Sequence, residues 1–193
     1  MFAAVLDTCV LWPNLQRDFL LSLAVEGLYR PLWSDQILEE LVFAETEKWR
    51  RRGLGEPEAT GRATRLETRM REAFPDAIVV RFEPLIGTFR LPDPDDEHVL
   101  AAAVLAGAGA VVTDNIRDFP APCLPRGLGI IDPRAFAVQT VEVDPSRAWV
   151  AVQAISQRSG RVGSVMSSKD VLTELEIRYR MHSAVALIRS VAG

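Results

Sequence analysis

The run Phe2-Ala3-Ala4-Val5-Leu6, closed by Asp7, decides the fold. Five apolar residues without polar alternation predict a short strand buried on both faces, as in a parallel sheet covered by helices. A polar break and an amphipathic stretch from Asn14 to Gly27 follow, which makes a βα start. The same apolar signal returns at Ala110 to Thr113 (AVVT) and Leu128 to Ile131 (LGII), with further strands expected at Tyr29 to Trp33 and Ala77 to Phe82. Helices are expected between them. Ser34 is a good N-cap with Asp35 in the first turn of a helix running to about Arg52, and a polar helix follows the Gly53 to Pro57 break and runs to about Ala73. Asp93-Pro94-Asp95-Asp96 opens another, with an N-cap, a proline at the first helical position and acids facing the dipole. Strands and helices alternating at this spacing predict an α/β fold with a mostly parallel sheet of about five strands flanked by helices.

From about Ala137 the alternation stops. Asp144-Pro145 starts a helix to about Gln157, Ser159 to Ser164 reads as a small basic loop, and Ser167 with Asp170 resembles a capping box. Apolar stripes of Leu172, Leu175 and Tyr179, then of Val185, Ile188 and Val191, predict two helices joined near Arg180. The expected organisation is a domain over residues 1–138 and a small helical C-terminal appendage over residues 139–193.

With 193 residues and 48% hydrophobic content, the chain can bury a core without staples, since folding at this size hides roughly 70% of the unfolded surface. Two cysteines, Cys9 and Cys123, are too few for a disulfide scaffold and fit a reducing, cytoplasmic setting. No apolar run approaches the ~20 residues of a membrane helix, and Asp7 follows the first strand without a basic leader, so membrane and export classes drop out. The net charge of −4 hides a polarised chain. Residues 48–71 carry eight Lys and Arg against three Glu, which is +5 and leaves −9 for the remainder. A basic segment in an acidic protein points to a polyanionic partner.

Ligands of parallel α/β sheets bind at the carboxyl ends of the strands. Acids stand at four such places: Asp7 after the first strand, Glu40 beside Glu39 two turns into the helix after the second, Asp93, Asp95 and Asp96 at the next helix start, and Asp114 and Asp118 after Thr113. Carboxylates converging without a basic partner repel one another unless a cation neutralises them, and Mg²⁺ or Mn²⁺ suits oxygen ligands. Such a site suits phosphodiester hydrolysis by an activated water.

The blocks Leu6-Asp7-Thr8, Ser34-x-x-Ile37-Leu38-x-Glu40-Leu41, Asp93-Pro94-Asp95-Asp96-Glu97-His98-Val99-Leu100-Ala101-Ala102-Ala103 and Val112-Thr113-Asp114-Asn115-x-Arg117-Asp118-Phe119 together resemble PIN-domain proteins, closest to the VapC-like ribonuclease toxins of bacterial toxin-antitoxin modules. The likeness covers roughly residues 1–138 in order and spacing. It implies a PIN-like fold and a Mg²⁺- or Mn²⁺-dependent endoribonuclease that leaves 5′-phosphate and 3′-hydroxyl ends. It also implies inhibition by a cognate antitoxin, and a homodimer is expected. Asp7, Glu40 and Asp96 match the family's first three acids. For the fourth, Asn115 or Asp118 stands in the equivalent place and Asp114 is an extra acid, so Asp114 and Asp118 are both candidate ligands beside Asp7 and Asp96. Glu40 would orient, or take a proton from, the attacking water. Thr8, Thr113 and Asn115 would support the site.

Plainer readings attach to several residues. Asp93 is the helix N-cap and Asp95 a dipole acid, which leaves Asp96 as the acid least explained by capping. Pairing of Glu47 with Arg51, Glu58 with Arg62 and Glu67 with Arg71 would satisfy part of the basic segment and leave Lys48, Arg50, Arg52, Arg65 and Arg69. Of these, Arg50, Arg52, Arg65 and Arg69 are the candidates for contact with RNA. His98, two residues after Asp96, should face another side of the helix, as a surface group or one that backs the ligands rather than a ligand, and stays outside the site. His182 has no partner acid nearby in sequence. Cys9 reads as a small buried hydrophobe, and Trp33 and Trp49 as packing residues. Trp12, Leu15, Phe19, Leu20 and Leu23 form an apolar face that belongs to the core. A haloacid-dehalogenase-like phosphatase would need an acid where Cys9 stands, and a receiver domain would need a lysine at a later strand end. The remaining alternatives are a catalytically silent PIN-like module that binds RNA or an antitoxin, and a PIN-type DNA nuclease.

Overall fold

The computed structural model describes residues 1–160 and 164–192. Its described elements are five strands and nine α-helices, joined by short 3-10 turns. The strands are β1 (Ala3–Leu6), β2 (Arg30–Ser34), β3 (Ile78–Val79), β4 (Ala110–Val112) and β5 (Gly129–Ile131). They form one sheet in the order β3-β2-β1-β4-β5. Ala4, Val5 and Leu6 pair in parallel with Ala110, Val111 and Val112, which in turn pair with Gly129, Ile130 and Ile131. Every residue of β1 and β4 is buried, as unbroken apolar runs require. The fold expected from the sequence is the one observed: a parallel α/β sheet flanked by helices, with C-terminal helices beyond it.

The chain divides into two compact units: Phe2–Trp12 with Pro31–Ile131, and Met1, Pro13–Arg30 and Asp132–Gly193. In the first unit, α1 (Thr8–Leu11) follows β1, and α3 (Asp35–Arg51) and α4 (Glu56–Ala73) form a helical hairpin between β2 and β3. Ser34 caps α3 by accepting from the Ile37 N–H at 3.2 Å. Gly53, at φ +92°, takes the left-handed conformation that turns the chain into α4. The small residues Ala59 and Ala63 with Met70 form the buried side of α4. Arg71 ties the hairpin together, 2.6 Å from Asp35 on α3 and 2.9 Å from Glu67 on its own helix.

The expected strand Ala77 to Phe82 contracts to Ile78–Val79. Arg81 has φ +66°, a left-handed conformation that cannot continue a strand, and this overrides the apolar run. The Asp93 block opens first as a 3-10 turn at Pro94–Asp96, and α5 (Glu97–Leu105) begins only after it. Glu97 is buried at 3% exposure and clasps the preceding loop, accepting from the backbone N–H of Gly87 and, at 3.2 Å, from that of Leu91.

The second unit contains α2 (Asn14–Val25), α6 (Pro133–Val143), α7 (Pro145–Arg158), α8 (Ser168–Ile177) and α9 (His182–Val191). The expected division after residue 138 falls inside α6, and α2 joins this unit from near the other end of the chain. Asp132 and Asp144 cap α6 and α7, and Ser167 with Asp170 forms the expected capping box on α8. Phe19, Leu20 and Leu23 are fully buried as expected of the α2 face, whereas Trp12 is 43% exposed. Tyr29 packs edge-on against Phe136 with centroids 4.8 Å apart. The α8 and α9 stripes bury Leu172, Leu175, Val185 and Ile188 but leave Val191 39% exposed. The loop expected at Ser159 to Ser164 includes residues 161–163, which lie outside the described residues.

Glu97 provides a stability test. Burial works against its carboxylate, but the backbone N–H bonds outweigh this and hold it below the ordinary glutamate value of 4.5. A depressed folded value means that the contribution is present above the ordinary value and is lost as pH falls through the lowered one. Glu97→Gln should therefore cost about 1–2 kcal/mol at pH 7. Urea unfolding of both proteins should show the gap closing below pH 4.5.

Candidate active site

The sheet order sends the chain outward from β1 to β2 and β3, then back to β4 on the other side of β1. The reversal lies between β1 and β4, where a parallel α/β sheet opens a crevice at its carboxyl ends. Asp7 follows β1 directly and Thr113 follows β4. Asp7 heads α1 without spending its side chain on a cap. It is 5% exposed, and its Oδ2 accepts from the Thr113 hydroxyl at 2.6 Å and from the Cys9 thiol at 3.1 Å. Both donors converge on one oxygen. Oδ1 is left without a hydrogen bond among the described residues.

The exit loop of β4 is stitched to the same group. The Asn115 N–H donates to Thr113 Oγ1 at 3.0 Å, and the Asp114 N–H donates to Cys9 Sγ at 3.3 Å. Cys9 is therefore more than the apolar filler expected of it. Burial above all, then the Asp7 charge, pushes its thiol up to about 12, so it remains a protonated donor.

Glu40, on α3, is held on both oxygens: Oε2 accepts from the Thr8 hydroxyl at 2.7 Å, and Oε1 lies 3.0 Å from His98 Nε2. Partial burial raises its carboxyl, but the His98 and Thr8 bonds outweigh this and the net shift is downward. Thr8, expected among the supports of the site, is the donor to Glu40 Oε2. His98 is a residue that spacing missed. It is buried at 3% exposure and points at Glu40, because Asp96 stands at the cap in the 3-10 turn and the helical angle between positions 96 and 98 does not apply.

Asp96 is half-buried, and its side chain makes no hydrogen bond among the described residues. Burial, then the charges of Asp7, Asp118 and Asp93, push its carboxyl up to about 6, with His98 pulling the other way. Asp7 and Asp118 are thus each near enough to repel Asp96. Asp114 is exposed. Asp93 caps its turn as expected, accepting from the Asp95 N–H at 3.0 Å. Among the described residues, no three acids, histidines or cysteines are gathered into a ready cage for an ion. The donor set still fits a hard divalent cation. Among the described residues Asp7 offers an oxygen without a hydrogen bond and the Asp96 side chain is unengaged, and Mg²⁺ commonly uses one or two carboxylates and keeps several waters.

The basic segment lies on the α3–α4 hairpin. Glu47 pairs with Arg50 at 2.8 Å rather than with the expected Arg51, while Glu58–Arg62 and Glu67–Arg71 pair as expected. Trp49 is half-buried rather than core, with the Arg62 and Arg52 guanidiniums 4.7 and 5.2 Å from its ring centre. Arg65 and Arg69 are exposed, four residues apart on α4. Trp33 is fully buried against Phe74, the packing role expected of it.

The electrostatics of Asp96 have a measurable consequence for stability. A folded value near 6 against the ordinary 3.8 means that ionised Asp96 opposes folding, fully above about 6 and not at all below 3.8. In metal-free protein at pH 7.5, Asp96→Asn should therefore be more stable than wild type, by on the order of 1 kcal/mol after solvent screening. The difference should vanish in unfolding curves at pH 3.5.

The profile described as PIN domain matches residues 3–117, more than half of the 193-residue chain. The match includes Asp7, Glu40, Asp96 and Asp114 and stops one residue short of Asp118. No curated protein and no solved structure matches the chain. PIN domains are in general nucleases, hydrolases of phosphodiester bonds that typically use divalent metal ions. Among the described residues no helix is long and apolar enough to cross a membrane. A five-stranded parallel sheet with acids at its switch point and a profile match over most of that sheet agree on one conclusion: the chain belongs to the PIN-domain family.

Proposed function

We propose that the protein is a Mg²⁺- or Mn²⁺-dependent endoribonuclease, the toxin of a toxin-antitoxin pair, acting in the cytoplasm as a homodimer and silenced by a cognate antitoxin. The observation that carries the nuclease part is the Asp96 carboxyl, raised to about 6 by burial and by neighbouring acids at the crevice between β1 and β4. Uncompensated acids at this place favour a cation-assisted reaction on a phosphodiester. The toxin, antitoxin and dimer assignments rest on the likeness of the four acid-bearing blocks to VapC-like toxins.

In this reading Asp7, Asp96 and Asp118 hold the ion. Asp118 is named as the third ligand because its charge acts on Asp96. When bound, the ion supplies a Lewis acid that acidifies water and neutralises the phosphate. Thr113 and Cys9 fix Asp7 so that Oδ1 faces this task. Glu40, kept ionised by Thr8 and His98, accepts the proton of the attacking water. The α3–α4 hairpin supplies backbone-contacting charge. Arg65 and Arg69 are exposed cations there, Arg52 combines charge with the Trp49 ring, and Arg50 is partly neutralised by Glu47.

Purified protein with Mg²⁺ or Mn²⁺ should cleave single-stranded RNA to 5′-phosphate ends and leave DNA of the same sequence intact. Asp7→Asn and Asp96→Asn should abolish detectable cleavage, and Arg65→Ala with Arg69→Ala should weaken RNA binding and flatten its salt dependence. Cleavage of DNA in preference to RNA would move the assignment to a DNA nuclease. RNA binding without cleavage under either ion would make the domain a silent binding module.

A further inference from the structure

We propose that His98 is a positioning residue that fixes the Glu40 carboxylate for proton transfer, a role that rests on the reading of the site as a ribonuclease. The imidazole is buried at 3% exposure, in a run from Glu97 to Ala103 that is buried throughout. Among the described residues its one polar contact is Nε2 to Glu40 Oε1 at 3.0 Å, and the buried Nδ1 has no partner. Burying a polar ring for a single hydrogen bond is unfavourable where an aliphatic side chain would pack without an orphaned nitrogen. Packing alone therefore does not account for a histidine here.

The partner explains the choice. Glu40 stands at the edge of the crevice with its side chain 41% exposed, where a lone carboxylate would sample several rotamers. Two donors remove that freedom. Thr8, at the start of α1, takes Oε2 at 2.7 Å, and His98, on α5, takes Oε1 from another direction. A carboxylate held on both oxygens has its plane set, while each oxygen keeps a second lone pair to face a water. Nε2 carries a proton because it faces a carboxylate, so His98 donates to Glu40 Oε1 and holds the carboxylate that is to accept a proton.

Two variants and one spectrum test this. His98→Gln keeps an N–H donor of similar reach, and His98→Leu removes it. Under the proposal, His98→Leu lowers kcat about 10- to 100-fold with KM for RNA nearly unchanged, and His98→Gln recovers most of the loss. In a Glu40→Gln background, His98→Leu should cost nothing further, because the group it positions is already gone. Equal losses in both backgrounds, a loss expressed in KM, or failure of His98→Gln to recover activity would overturn the role. Independently of activity, the imidazole Nε2–H proton of the folded wild type should be protected from solvent exchange, and Glu40→Ala should expose it. An unchanged signal in Glu40→Ala would show that the bond does not hold. If wild type cleaves no RNA with either ion, the nuclease reading fails, and the spectrum alone decides whether His98 holds Glu40.

Discussion

A carboxylate buried where β1 ends is the constraint around which the sheet unit is arranged. Asp7 is 5% exposed, and a charge so placed is tolerable only with donors supplied in advance. Thr113 and Cys9 supply them, one from the strand beside β1 and one from the first turn of α1. Thr113 can do so only because β4 runs parallel to β1 in a register that pairs Leu6 with Val112, which puts residues 7 and 113 side by side past the last pair. Strand register, an apolar central pair of strands and the placing of one acid are a single physical fact.

The rest of the site follows a division of labour between held and unheld acids. Asp7 is fixed on one oxygen and Glu40 on both, whereas the Asp96 carboxyl is not engaged and is pushed up by burial and by its acidic neighbours. A fold optimised for stability alone would carry an amide or an apolar residue at position 96. Repulsion of this kind at a sheet switch point is what the proposed cation site would relieve. Glu97, one residue later, does the reverse: its carboxylate is satisfied by the backbone of the loop that it clasps. Adjacent acids therefore divide into one that holds the structure and one that the structure holds in reserve.

Much of this was legible in the chain. Unbroken apolar runs located β1 and β4, and Asp7, one residue beyond β1, marked the crevice. Asp93 caps its turn as expected, and the Asp96 side chain makes no hydrogen bond among the described residues. What escaped was non-local or conformational. A left-handed Arg81 shortened β3, which no hydropathy pattern reports. The 3-10 turn before α5 changed the angle between Asp96 and His98, so a histidine assigned to another face reaches Glu40 instead. Cys9 looked apolar because a thiol donates only when an acceptor is placed against it, and Asp7 is that acceptor. Glu47 chose Arg50 over Arg51 because both spacings are open on a helix and neighbouring side chains decide between them.

The central claim is that the acids at the crevice between β1 and β4 form a divalent-cation site. Electron paramagnetic resonance of Mn²⁺ titrated into purified protein tests it without reference to any substrate. The account predicts that wild type removes free Mn²⁺ signal at pH 7.5, less so at pH 5.5 where Asp96 is protonated, and that Asp7→Asn and Asp96→Asn each abolish the uptake. Equal Mn²⁺ uptake by wild type and both variants, or none by wild type, would contradict it.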